Sequence, residues 1–460
     1  HTGDFSMFRV YASKDNRPAA YSPQNVPYRP KKHFSISTKG VKEGDFTMIY
    51  GFPGNTQEYI LSDAVAYIAE RSDPAKIAVR TGRLDIITKA QESDPALRIH
   101  YAAKHASIAN AWKKWQGEAL GIDRRGTVAA KFDYETQFGL WSVGRPEYAG
   151  VVMGLRAEYD RIMDAYFAYE ITRETLSTLP AAYTPEERSE ECFARRKFAE
   201  QALWRHAFRE YGRCPKVYRT PSYAEGMARY KSPEAYADAL FEAVWEGSDS
   251  VAMQPAVRLR EETKRMLDHI SWMLGTKSLR NLNSKILNEL YTTYIKGLRE
   301  WDRERAFYPD ANLTLRVAYG SVAGYEYADG EYHKPQTTLD GIIAKDNPEI
   351  YDYDIPQSLR DLYASKNYGR WGTVIDGRRT VPVCFLATNH TTGGNSGSPV
   401  LNAGGELIGI NFDRTWRSTM SDIAFDPAIC RNIAVDIRYV LFVVDRVGGA
   451  GYLLKEMTLK

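Results

Sequence analysis

Between residues 55 and 312 apolar positions recur at helical spacing, with charged residues between them. The clearest run opens at Ser93-Asp94-Pro95, with Ser93 as N-cap and Pro95 in the first turn. It carries Ile99, Ala103, Ile108, Ala111, Trp112 and Trp115. The same period predicts helices over 151–176, 185–208, 233–245 and 255–274. No repeat of fixed length joins them, which argues against a solenoid.

Both flanks switch to short apolar stretches bounded by Gly and Pro. Strands are predicted over 5–11 and 44–51, on either side of a Pro-rich excursion at 17–32. The second ends in the corner Gly51-Phe52-Pro53-Gly54. Further strands are predicted over 313–319, 372–375, 380–388 and 406–412, with a hairpin turn at Leu401-Asn-Ala-Gly-Gly405 and a last helix over 436–446. The flanks share one composition, so the order β–helical–β predicts an α+β chain, a β-domain interrupted by an all-helical insertion. The zones are 1–54, 55–312 and 313–460.

Composition adds exclusions. The 460 residues are 43% hydrophobic and 26% charged, enough to bury a sizeable core and unlike a disordered or collagenous chain. With 61 Lys plus Arg against 58 Asp plus Glu, the net charge of +3 points to neither nucleic acid nor an anionic membrane as partner. The apolar run at 440–444 falls far short of the roughly 20 residues of a membrane span. The 31 tyrosines read first as a Tyr-rich core. Cys192, Cys214, Cys384 and Cys430 are too scattered for a metal site; one or two disulfides fit, with Cys192 and Cys214 the nearest pair. No metal and no cofactor is expected. The chain opens at His1 without a Met and runs at once into 5–11, which reads as the continuation of a longer chain.

The chemistry-bearing stretch is Gly393-Gly394-Asn395-Ser396-Gly397-Ser398-Pro399-Val400. It presents one hydroxyl on a tight turn whose glycines let neighbouring N–H groups gather where an oxyanion would form. It differs from the strand-to-helix elbow Gly-x-Ser-x-Gly, because a hairpin and a strand follow it. An isolated Gly-x-Ser-Gly is more often an inert turn; the full stretch with its hairpin favours a nucleophile. A serine nucleophile needs a base and an orienting acid.

Asp4-Phe-Ser-Met-Phe-Arg-Val10 resembles the Asp-bearing strand of trypsin-like double barrels, and 41–54 resembles the strand and corner that follow it. Those barrels run His, Asp, Ser along the chain, which puts the base upstream of Asp4 and of His1. The histidines present are poor substitutes: His1 sits at the chain end, His390 reads as a loop residue, and His33, His100, His105, His206, His269 and His333 have no triad-like context.

With these features, Asn110-Ala-Trp-Lys-Lys-Trp115, Gly394-Asn-Ser-Gly-Ser-Pro399 and Asn411-Phe-Asp-Arg-Thr-Trp416 make the chain resemble the bacterial serine dipeptidyl-peptidases of chymotrypsin-type fold. Its last motif is most similar to members specific for Asp or Glu at the second substrate position. The resemblance implies a trypsin-like double β-barrel split by the helical insertion: 1–54 would end the first barrel and 313–460 form the second. It implies Ser396 as nucleophile, Asp4 as triad acid, a triad His upstream of this chain, and Gly394 and Ser396 as oxyanion donors. Asn110 and Asp413 would hold the substrate's terminal amine, and Arg414 would face an acidic side chain. It further implies a periplasmic or cell-surface homodimer in a Gram-negative bacterium, acting on peptides with free N-termini. Asn395 stands where trypsin-like enzymes carry the Asp of zymogen activation, so that route is not expected. A sister specificity for hydrophobic residues, a trypsin-like endopeptidase and a catalytically dead helical peptide-binding protein are the rival readings.

Overall fold

The computed structural model describes every residue except 1, 2, 4, 248, 249, 277, 278 and 280. The chain forms two compact units, one built from 1–57 with 310–460 and the other from 58–309.

The first unit is organised on an antiparallel seven-stranded sheet. Its strands are β1 (Phe46–Gly51), β2 (Arg316–Ser321), β3 (Gln336–Thr338), β4 (Pro382–Ala387), β5 (Pro399–Leu401), β6 (Leu407–Arg414) and β7 (Asn432–Asp436), in the order β2-β1-β5-β6-β7-β4-β3. Phe46–Gly51, expected to end a first barrel, hydrogen-bonds on both sides within this sheet. Its inward positions Thr47, Ile49 and Gly51 follow the period of two. Ile49 meets Val322, Phe385, Val400, Ile408 and Ala434 in a buried core. The closing helix Ile437–Phe442 packs Tyr439, Leu441 and Phe442 against Trp371 and Val381 in a second core. The α+β class stands, but no closed barrel is found among the described residues.

One sequence expectation changes here. Strand structure in the 5–11 stretch is confined to Tyr11, in the pair Tyr11–Ala12 with Val26–Pro27, and Phe8 and Val10 are exposed. Asp4 lies outside the described residues. In β6 the alternation is broken by a bulge: Asn411 faces Ala434 and Asp413 faces Ile433, so Phe412 is the extra residue.

The second unit is helical: α1 (Asp73–Ser93), α2 (Pro95–Arg124), α3 (Thr127–Trp141), α4 (Val151–Glu174), α5 (Lys197–Tyr211), α6 (Pro221–Tyr230), α7 (Pro233–Glu246), α8 (Ser250–Leu274) and α9 (Lys285–Trp301). The cap of α2 is Asp94 rather than Ser93: the Asp94 carboxylate accepts from Ala96 N at 2.7 Å, while the Ser93 hydroxyl turns back to Ala90 O. The buried face of α2 is carried by Leu97, Tyr101, Ile108 and Ile122, and Ile99 is 80% exposed. The predicted helical period holds, but Ile99 lies two residues, about 200°, from both Leu97 and Tyr101 and so falls on the opposite side of the helix. The 185–208 stretch breaks after Ser189 and resumes at Lys197.

Tyrosines are core material in this unit. Tyr159, Tyr211 and Tyr223 are fully buried among Phe138, Phe208 and Phe241. Burial of a phenol requires a partner for its hydroxyl. Tyr223 donates to Phe208 O at 3.0 Å, Tyr236 to Ser222 O at 3.1 Å, and Tyr159 meets Tyr291 at 2.6 Å. All four cysteines are unpaired thiols, so the Cys192–Cys214 disulfide is not formed.

Candidate active site

The turn between β4 and β5 holds Ser396 on a backbone braced from several sides. Asn395 N donates to Thr392 O at 3.0 Å, and Thr392 N returns a bond of 3.1 Å to Asn395 Oδ1. Gly397 N donates to Asn411 O at 2.7 Å and Ser398 N to Asn395 O at 3.0 Å. Gly394 adopts φ +105°, which L side chains rarely take, and a Cβ there would collide with the Phe52 carbonyl oxygen. The corner Phe52-Pro53-Gly54 therefore lies directly against the turn, and Gly54 N donates to Gly393 O at 2.6 Å. Asn395 is buried; its side chain fills the turn.

Ser396 itself is exposed, and among the described residues its hydroxyl bonds only Phe412 O, at 3.2 Å. That carbonyl belongs to the bulged residue of β6. The N–H groups of Gly394 and Ser396 have no acceptor among the described residues. Two backbone donors flanking an accessible hydroxyl are what acyl transfer requires to stabilise a tetrahedral oxyanion.

Beyond the bulge, Asp413 and Arg414 take different environments. Asp413 is exposed, and its carboxylate accepts from Arg414 N at 2.8 Å. The Arg414 side chain is only 11% exposed and grips Asp422 with both terminal nitrogens, at 2.5 and 3.0 Å. Its Nη1 also donates to Ser421 Oγ at 2.9 Å and Thr391 O at 3.4 Å. Arg414 is therefore a charge-compensated guanidinium, with Asp422 as its side-chain partner. A helical turn over Trp416–Asp422 folds back and delivers Asp422 to the guanidinium. Sequence reasoning missed Asp422; the only signal available was a carboxylate shortly downstream of the motif.

His390 packs behind this pair, its ring 4.5 Å from that of Phe425 and its Nε2 3.0 Å from Ser421 O. Burial lowers its pKa against the opposing pull of Asp422, and its Nε2 is turned to Ser421 O rather than to Ser396. Of the eight histidines, His1 lies outside the described residues. The others are committed elsewhere: His33 to Thr458, His105 to Thr88, His206 to Val79 O, His333 to Glu331, and His269 stacked on Trp272. His100, Glu190 and Cys192 lie within metal-ligand reach of one another, but the Arg196 guanidinium already bonds His100 and Glu190. A cation site there would have to displace a fixed cation.

Asn110 lies on an exposed position of α2 in the helical unit. Asn411 and Asn432, which the sequence did not mark as functional, are buried directly behind the turn.

Comparison with known proteins places this chain in a family. An Asp/Glu-specific dipeptidyl-peptidase from Capnocytophaga gingivalis is 40% identical over 505 residues, covering 100% of this chain and 69% of the relative. One from Flavobacterium psychrophilum is 40% identical over 499 residues with the same coverage. The crystal structure of Porphyromonas endodontalis DPP11 in complex with the dipeptide Arg-Glu matches with TM-score 0.83 at 31% identity, over 100% of this chain and 71% of that one. The Peptidase S46 model matches residues 1–186 and 186–459, and the chain belongs to the Peptidase S46 family.

Proposed function

We propose that this chain carries the nucleophile and the substrate pocket of a serine dipeptidyl-peptidase that removes dipeptides ending in Asp or Glu from free peptide N-termini. The observation that carries the reading is the Ser396 turn: an exposed hydroxyl flanked by the N–H groups of Gly394 and Ser396. The acidic preference is supported by the relatives' specificity and by a guanidinium at Arg414.

In this mechanism Ser396 Oγ attacks the second peptide carbonyl, and the two N–H groups hold the oxyanion. A histidine preceding His1 in the intact protein takes the hydroxyl proton and returns it to the leaving amine, oriented by Asp4. Asp413 supplies a negative charge for the substrate's α-amine, and Asn110 a further polar partner. Arg414 bonds the acidic side chain while Asp422 holds its plane. Because Asp422 already balances its charge, the gain is that of a charge-assisted hydrogen bond, about 1.5–3 kcal/mol, rather than that of a bare buried cation.

The sheet of the first unit is proposed as the second barrel of a trypsin-like pair. Supporting this, Val322 bridges Ala387, with Ala323 N to Leu386 O at 3.1 Å and Thr388 N to Ser321 O at 2.9 Å, tying the end of β2 across to β4. A periplasmic homodimer is proposed on family resemblance, with light scattering of the purified intact protein as its check.

The test uses fluorogenic dipeptides with Asp or Leu at the second position, each with a free or acetylated amine. Efficient cleavage of the acetylated Asp reporter would replace this reading with an endopeptidase, and a preference for Leu would replace it with a sister specificity.

A further inference from the structure

Behind the Ser396 turn lies a short chain of buried amides. Asn432 Nδ2 donates to Asn411 Oδ1 at 2.9 Å, and Asn411 Nδ2 donates to Asn395 O at 3.1 Å. Asn411 is 2% exposed and Asn432 1%. The Asn411 backbone is itself tied to the turn: its N–H donates to Ser398 O at 2.9 Å and its carbonyl accepts from Gly397 N at 2.7 Å.

Asn395 O and the N–H of Ser396 belong to one peptide unit. In a planar trans peptide the two point in opposite directions. Whatever fixes the carbonyl from behind therefore fixes where the N–H points in front. The same logic holds one peptide earlier, where Gly54 N–H grips Gly393 O at 2.6 Å and so sets the N–H of Gly394. Both donors assigned to the oxyanion are thus aimed by bonds made on the reverse side of the turn. One of those bonds comes from a side chain.

We propose that Asn411, held by Asn432, is a positioning residue that presets the Ser396 N–H for the oxyanion. This rests on the reading of Ser396 as nucleophile. Ser398 N also reaches Asn395 O at 3.0 Å, but that bond closes the turn locally. Only the Asn411 amide anchors the peptide to the strand bearing Phe412, Asp413 and Arg414. The Asn411 amide thus joins the backbone bonds of Gly397 and Ser398 in holding the nucleophile turn in register with that strand.

Preorganised donors matter in the transition state and little in the ground state. Deleting an oxyanion donor outright costs about 10²–10³ in kcat. Misaiming one donor while the other stays in place is expected to cost about tenfold to a hundredfold.

The experiment compares two ligands in the intact protein. A Leu-Asp aldehyde adds to the serine and places a tetrahedral oxygen at the donors, whereas the matching Leu-Asp alcohol fills the same subsites and has no carbonyl. In Asn411→Asp, which keeps the shape and loses the Nδ2 donor, kcat/KM and aldehyde affinity should fall together by about tenfold to a hundredfold. Alcohol affinity should stay within about twofold. Equal losses for aldehyde and alcohol would make Asn411 merely structural, and no loss for the aldehyde would remove it from the mechanism; either overturns the proposal. Should Asn411→Asp not fold, Asn432→Ser leaves the donor present but unanchored and is read by the same ratio. Ser396→Ala separates this from the underlying reading, because its continued turnover would refute the nucleophile, whereas an inactive Ser396→Ala beside an unaffected Asn411→Asp refutes only the positioning role.

Discussion

Replacing Arg414 by Gly should change both specificity and stability, and the structure separates the two effects. Arg414 and Asp422 are each 11% exposed and joined through two hydrogen bonds. Removing one member of a buried pair leaves the other charge without compensation, a cost of roughly 3–5 kcal/mol. The pair retains some access to water, so about 3 kcal/mol is expected. For a unit of this size that lowers the unfolding midpoint by roughly 6–12 °C. The specificity loss is independent: forfeiting about 1.5–3 kcal/mol for an acidic side chain is on the order of ten- to a hundredfold in the Asp/Leu ratio of kcat/KM. A second variant, Arg414→Leu with Asp422→Leu, removes both charges and should recover most of the stability while leaving the preference lost. The assay is kcat/KM for the paired reporters together with thermal unfolding of each variant. An unchanged Asp/Leu ratio in Arg414→Gly would move the determinant of specificity elsewhere. An unchanged midpoint would mean that the Asp422 pair adds nothing to the fold.

Ser396→Ala should lower turnover of the Asp reporter by several orders of magnitude without changing the fold, as measured by kinetics beside circular dichroism; near-normal turnover removes the serine-hydrolase reading. Asp413→Ala should cost about 2–5 kcal/mol in kcat/KM for free-amine substrates if the amine is desolvated against it, with Asn110→Ala weaker and expressed mainly in KM. Equal rates on acetylated and free substrates would refute both roles. The depressed pKa of His390 means that the unfolded chain takes up a proton there before the folded one does. Its stability contribution is therefore intact above the ordinary histidine range and is lost as pH falls through it and below. His390→Gln should flatten the midpoint-versus-pH curve between about pH 7 and 5, and an identical slope would exclude His390 as the titrating group.

Much of the local structure was legible because it depends on neighbours in sequence. Apolar spacing located α2, α4, α7 and α8, and Gly with Pro marked the corner at 51–54 and the turn at 393–399. Helices α1, α3, α6 and α9 were not anticipated. Their buried positions include Asp73, Glu135 and Gly297 beside apolar ones, so the hydrophobic stripe is interrupted by polar and small residues that only tertiary partners justify. Glu135, for example, accepts from Ser62 and Arg156.

The sequence by itself determined the serine, its glycine-built turn and the residues of the following motif. Those follow from which backbone conformations each residue tolerates and which side chains can do the chemistry. Tertiary structure alone decided what these residues face. The bulge at Phe412 exists only because β7 pairs out of step with β6, and it turns a carbonyl toward Ser396. Asp422 reaches Arg414 because a helical turn folds back on the strand. Gly54 and Asn411 brace the turn from segments far from it in sequence or across a hairpin. Periodicity describes one segment at a time. Register, pairing and the direction of a peptide N–H belong to contacts between segments.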